Sequence, residues 1–133
     1  MNVTGGCHCG AIRFEAEIDA DAVSICHCTD CQRLSGSPYR VSVPAPAERT
    51  RFSGGDPAIY IKIADSGRKR AQAFCPNCGS PLFATGAEDR SVLNIRWGSI
   101  DQRDRLTPRQ QIWCRSAQPW TGDLSGIPGR EAD

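Results

Sequence analysis

Apolar and polar positions alternate with a period of two along much of the chain. Over residues 11–18, Ile12, Phe14, Ala16 and Ile18 interleave with Arg13, Glu15 and Glu17, the pattern of a strand with one buried face. The same alternation returns at Tyr39, Val41 and Val43, and again at Ile59, Ile61 and Ile63, which interleave with Tyr60 and Lys62. Shorter segments at 22–25, 69–74, 82–83, 92–100 and 110–115 predict further strands, the segment 92–100 holding Leu93, Ile95 and Trp97. Pro44 and Pro46 are expected to end the strand before them. Ser53-Gly54-Gly55-Asp56-Pro57 reads as a turn and Asp65-Ser66-Gly67 as a hairpin. A single short helical segment is predicted, capped by Thr29 or Asp30, passing through Cys31 to Leu34 and stopped by Gly36. Many short strands joined by Gly/Pro turns make this a mainly β domain of short antiparallel strands.

At 133 residues the chain has the size of one domain. The Gly-, Pro- and charge-rich stretch 122–133 reads as a loosely packed tail on a domain spanning 1–121. Sixteen basic and fifteen acidic residues give a formal net charge of +1, so no bulk charge draws the protein to nucleic acid or to an anionic membrane. No apolar run approaches the length of about 20 residues needed to span a bilayer. The N-terminus lacks the basic and apolar regions of a signal peptide. There is no phosphate loop, no dinucleotide fingerprint and no internal repeat.

Cysteine placement changes this picture from a fold to a chemistry. Seven of the eight cysteines fall in three tight groups: Cys7-His8-Cys9, Cys26-His27-Cys28-Thr29-Asp30-Cys31 and Cys75-Pro76-Asn77-Cys78. Spacings of C-x-C and C-x-x-C place sulfurs near one centre and suit a metal better than disulfides, which implies a reducing compartment, most simply the cytoplasm. An extended backbone at 7–9 would put both sulfurs on one face and His8 on the other, and at 26–28 would turn His27 away. The seven divide into four and three. Cys7, Cys9, Cys75 and Cys78 make a closed tetrahedral set, expected to hold a structural zinc that staples the N-terminus to the later knuckle. Cys26, Cys28 and Cys31 leave a fourth position open, as in catalytic zinc sites. The alternatives are closure by His8, His27, Asp30 or Cys114, an empty set, or another soft metal. An open, thiolate-rich site favours a soft ligand such as a substrate thiol, whose pKa falls on coordination and which then attacks a small electrophile.

Three runs carry a family resemblance: 5–15 around Cys7 and Cys9, 26–39 around the central cysteines, and 74–83 around Cys75 and Cys78, with weaker similarity at 98–101, 108–116 and 119–120. Together they resemble the glutathione-dependent formaldehyde-activating enzymes. The resemblance implies a zinc-bearing β-tent fold, a structural zinc on Cys7, Cys9, Cys75 and Cys78, and a catalytic zinc on Cys26, Cys28 and Cys31. It also implies a carbon–sulfur lyase-type activity, the condensation of glutathione with formaldehyde to S-hydroxymethylglutathione. The partners are then a glutathione-like thiol and a small aldehyde. A non-catalytic zinc module that binds a partner protein is the competing reading, since related β-tent folds can serve as scaffolds.

Other residues are read against both alternatives. Glu15 is expected to make a structural hydrogen bond rather than transfer a proton. Arg49, Arg51, Arg68, Lys69 and Arg70 either hold substrate carboxylates or form a solvated face. Tyr39, Trp97 and Trp113 are expected in the core or a pocket wall. Gln111 stands where the family often has histidine. Cys114 follows Ile112 with strand parity and is expected to be buried.

Overall fold

The computed structural model describes residues 1–133. The alternation is realised in full at β2 (Ile12–Glu17), where Ile12, Phe14 and Ala16 are buried and the residues between them exposed. β2 is the middle strand of a three-stranded antiparallel sheet, flanked by β1 (Asn2–Gly6) and β5 (Thr50–Gly54). The hydrophobic pattern predicts neither neighbour. β1 buries Val3 and Gly5, and a glycine carries no apolar signal. β5 has one large apolar residue, Phe52, and its end lies inside the stretch that reads as a turn.

The second sheet has seven strands in the order β10 (Gln110–Ile112), β3 (Ser24–Cys26), β4 (Arg40–Pro46), β9 (Val92–Arg96), β8 (Pro81–Gly86), β7 (Lys69–Phe74) and β6 (Ala58–Ile63). All pairs are antiparallel except β10 with β3. The inner faces of the two sheets meet in one core, where Val3, Phe14 and Ala16 pack with Val43, Leu93 and Ile95. Phe52 bridges the sheets: its ring centroid lies 5.8 Å from Phe14 and 5.2 Å from Phe83. Burying a side chain such as Phe14 removes it from water at a gain of about 2 kcal/mol.

Three expected boundaries shift. Pro44 and Pro46 do not end their strand; β4 runs through both. The Pro44 carbonyl accepts from the Asp19 amide at 3.2 Å, on the edge facing away from β9. The missing N–H therefore costs no ladder bond. The strand expected at 92–100 stops at Arg96 and becomes a 3-10 turn, Trp97–Ser99, with the Trp97 indole N–H donating to the Leu106 carbonyl at 2.9 Å. The strand expected at 110–115 stops at Ile112, because Trp113 adopts a left-handed conformation (φ 57°) that opens the 3-10 turn Cys114–Ser116.

The one α-helix, α1 (Thr29–Ser35), follows β3. Its N-cap is Cys28 rather than Thr29 or Asp30, and Gly36 ends it at φ 65°, a conformation glycine adopts without strain. Residues 122–133 are exposed throughout. No helix is long and apolar enough to cross a membrane.

Candidate metal centre and the cavity beside it

Cys7 and Cys9 occupy the turn between β1 and β2, not an extended segment. The Gly10 amide donates to the Cys7 carbonyl at 3.2 Å and folds Cys9 back, bringing the two sulfurs to 3.6 Å. The Ile12 amide donates to Cys7 Sγ at 3.3 Å. Between β7 and β8, the Gly79 amide closes the Cys75-to-Cys78 knuckle on the Cys75 carbonyl at 2.8 Å, with Gly79 at φ 78°. Cys9 Sγ then lies 3.8 Å from Cys75 Sγ, and all four sulfurs fall within 4.8 Å of one another. Four thiolates about 2.3 Å from a central zinc would be separated by about 3.8 Å, so this donor set has the chemistry and nearly the spacing that a tetrahedral metal ion needs. Cys7 and Cys75 are buried beside Ile12 and Leu82, while Cys9 and Cys78 face solvent. The Ser80 hydroxyl, 3.2 Å from Cys78 Sγ, holds that thiol down to about 5.

The second cluster is built by a strand end and a helix start. Cys26 closes β3, Cys28 caps α1, and Cys31 lies in its first turn. The Cys31 amide donates to Cys28 Sγ at 3.3 Å, so the cap is itself a candidate metal ligand. The three sulfurs lie within 4.8 Å of one another and are half-buried. Hydrogen bonding from the Cys31 thiol draws Cys26 down to about 5, and the same contact pushes Cys31 up. A cation bound by the cluster takes the place of the proton held between Cys26 and Cys31.

None of the four candidate closing ligands joins these sulfurs within 4.8 Å. His8 is exposed, and its amide donates to Ser80 Oγ at 3.0 Å beside the other cluster. His27 is buried on the opposite side of the strand, its Nε2 2.8 Å from Gln111 Oε1 and its ring edge-on to Tyr39. Asp30 is held by Lys62 Nζ at 2.9 Å. Cys114, expected to be buried, is exposed, because the turn begun by Trp113 ends the strand parity on which that expectation rests.

The Cys26, Cys28 and Cys31 cluster opens on a cavity of about 460 Å³ whose wall also includes Lys62, Arg68, Arg70, Arg96, Ile112 and Trp113. Of the basic residues singled out by sequence, Arg68 and Arg70 reach this cavity. Arg49 and Arg51 lie on the three-stranded sheet, Arg49 paired with Glu17 at 2.7 Å. Glu15 sits opposite Arg51 there and does not line the cysteine cavity. Arg40 and Arg96 carried no sequence signal: each is one charge within a strand, and only the sheet brings it near the sulfurs. Arg40 is 6% exposed. Burial lowers its pKa, and the charges of Cys31, Cys28 and Cys26 work against that fall.

The model of one protein family, "Glutathione-dependent formaldehyde-activating enzyme", matches residues 2–116. Among solved structures, the chain resembles a crystal structure of a Rhodobacter sphaeroides protein. That match has a TM-score of 0.62 and 19% identity, and covers 81% of this chain and 98% of the other. At that identity the likeness concerns the fold.

Proposed function

The chain belongs to the glutathione-dependent formaldehyde-activating enzyme family, and on that premise we propose that it is a zinc-dependent carbon–sulfur lyase-type enzyme acting on a thiol–aldehyde adduct. In the family's reaction, glutathione and formaldehyde combine to S-hydroxymethylglutathione. One observation carries this reading: Cys26, Cys28 and Cys31 form a three-sulfur cluster, joined by no fourth ligand, in the wall of a cavity. Cys7, Cys9, Cys75 and Cys78 are assigned a structural zinc, and the three-sulfur cluster a catalytic one. A zinc ion in such a cluster supplies Lewis acidity that keeps a neighbouring thiol ionised at neutral pH.

The rest is done by the chain itself. The Cys31 amide fixes the Cys28 sulfur. The Gln32 side chain donates to the His27 carbonyl at 2.8 Å and the Ser116 carbonyl at 3.0 Å, locking the start of α1 against the segment after β10. Ile112 and Trp113 form an apolar side of the cavity. In the condensation, the thiol gives up its proton and its sulfur bonds to the aldehyde carbon. The carbonyl π pair moves to oxygen, which gains a proton. Nothing is oxidised or reduced. The thiol chemistry fits a reducing compartment such as the cytoplasm.

The test is adduct formation from glutathione and formaldehyde over wild-type protein and over Cys28→Ser. Because the uncatalysed reaction is fast, the variant serves as the blank. Acceleration by wild type alone supports the reading, and equal rates over both proteins overturn it. The competing binding-module reading draws on one feature, the exposed Ile59, Ile61 and Ile63 on edge strand β6. It predicts that replacing those residues, not Cys28, abolishes function.

A further inference from the structure

The face of the seven-stranded sheet turned away from the core collects cations. Register places Cys26 opposite Arg40, Ser42 opposite Arg96, and Lys62 opposite Arg70. Ser42 lies two positions beyond Arg40 along β4, so both side chains project from the same face. Gln72, two positions beyond Arg70, accepts from Arg96 Nη2 at 2.6 Å, and Ser42 accepts from Nη1 at 2.8 Å. Arg96 is thereby fixed by two neutral acceptors, while its Nε is fully buried and unpartnered. Of the other cations on this face, Lys62 is paired with Asp30, while the charges of Cys31 and Cys26 act on Arg40 and Arg96 alike without forming an ion pair with either. The ion pairs of the protein include neither Arg70 nor Arg96. Burial, then the nearby Arg40, brings Arg96 down to about 9, so it still carries its charge at neutral pH.

A partly buried guanidinium with no counter-ion is costly unless something anionic completes it. Arg70 and Arg96 both line the cavity that holds the three cysteines, and Asp65 is its only acidic lining residue. The volume of about 460 Å³ falls within the range of small-molecule sites.

We propose that Arg96 and Arg70 form a carboxylate-binding subsite beside Cys26, Cys28 and Cys31, so that the thiol accepted there is one that carries a carboxylate. This rests on the reading of the cysteine cluster as the thiol site. Arg96, held rigid by Ser42 and Gln72, presents its remaining Nη hydrogens as a preformed donor pair. Arg70, on the adjacent hairpin, is the more exposed partner. Both are specificity-determining positions that touch the ligand away from its sulfur.

Calorimetric titrations of the metal-loaded protein with three probes test this: glutathione, S-methylglutathione, and glutathione diethyl ester. S-methylglutathione keeps both carboxylates but has no thiol proton to lose; the diester keeps the thiol but not the carboxylates. Wild-type protein should bind glutathione at least roughly tenfold more tightly than its diester, which shares the thiol, the contribution of one charge-assisted contact; S-methylglutathione, without the thiol, should keep the part of the affinity that comes from the carboxylates. In both Arg96→Gln and Arg70→Gln that ratio should fall toward one. If Arg96→Gln fails to fold, Arg70→Gln carries the test alone. Equal binding of glutathione and its diester by wild type, or an unchanged ratio in the folded variants, overturns the subsite. The outcomes also separate this inference from the lyase reading. An intact, arginine-dependent preference without catalysis leaves the subsite standing and removes the lyase. Catalysis of glutathione and its diester with equal kcat/KM removes the subsite and leaves the lyase.

Discussion

Lys62 Nζ donates to Asp30 Oδ2 at 2.9 Å and so ties edge strand β6 to the helix that carries Cys31. The two ends of this pair are unequally buried, the Lys62 side chain 17% exposed and that of Asp30 45%. Asp30→Asn leaves a mostly buried ammonium without its partner and should cost about 1–2 kcal/mol. Lys62→Met leaves a carboxylate free to hydrate and should cost less than about 1 kcal/mol. Urea unfolding of both variants checks the order of the two losses; the reverse order would show that the pair is governed by something other than desolvation of Lys62.

The two cysteine clusters should respond differently to the loss of one sulfur. Cys78→Ser breaks a site that joins the β1–β2 turn to the β7–β8 knuckle, so metal binding there is part of the folding free energy. We expect a loss of about 3 kcal/mol or more, a fall in melting temperature of roughly 10 °C, and reduced bound zinc. Cys28→Ser removes a ligand carried on one short local segment, and its melting temperature should stay within about 3 °C of wild type while one metal equivalent is lost. Calorimetry with metal analysis distinguishes them. Equal destabilisation by both variants would make the Cys26, Cys28 and Cys31 cluster structural and remove the main support for the enzyme.

The β1–β2 end of the fold carries a pH-dependent contact. Asp101 Oδ2 accepts from Arg13 Nη2 at 2.6 Å and from Thr4 Oγ1 at 2.7 Å. The Arg13 hydrogen bond, then that of Thr4, holds the Asp101 carboxyl below the usual carboxylate range. A carboxyl depressed in the folded state stabilises above its ordinary pKa of about 3.9, and the contribution is lost as pH falls through the folded value. The pair is substantially exposed, so solvent screening limits the effect to about 0.5 kcal/mol. Asp101→Asn should lower stability by that amount at pH 7 and by nothing measurable near pH 2. A deficit that persists at pH 2 would mean that the substitution acts through packing.

Removal of residues 123–133 should leave the fold intact. Every residue of this stretch is exposed, and Leu124 and Ile127 are more than half exposed, so little apolar area is lost. The truncated protein should melt within roughly 2 °C of the full chain. A larger drop would place the tail among the packed elements.

Local spacing was legible in the sequence wherever local geometry decides. The Cys75-Pro76-Asn77-Cys78-Gly79 knuckle, the stop of α1 at Gly36 and the alternation of β2 each depend on backbone within a few residues. The grouping of cysteines into four and three follows from the same short-range logic, and the sulfurs do gather that way. Even here the local route can differ: Cys7 and Cys9 converge through a turn, not through strand parity, and Cys28 takes the capping role expected of Thr29 or Asp30.

What the tertiary structure decided is long-range. β1 and β5 have weak patterns and become strands because β2 offers them both edges. Pro44 remains in a strand because its nitrogen meets no ladder partner, a fact that depends on where β3 begins: Ser24, its first residue, lies opposite Ser42. Cys114 is exposed because Trp113 leaves the extended region. Arg40, Arg70 and Arg96 meet Cys26 only because β4, β7 and β9 join one sheet with β3, in an order unrelated to their order in the chain. A charge in a strand shows its parity in sequence, but its neighbours across the ladder are fixed by pairing, and pairing is set by burial of the whole sheet.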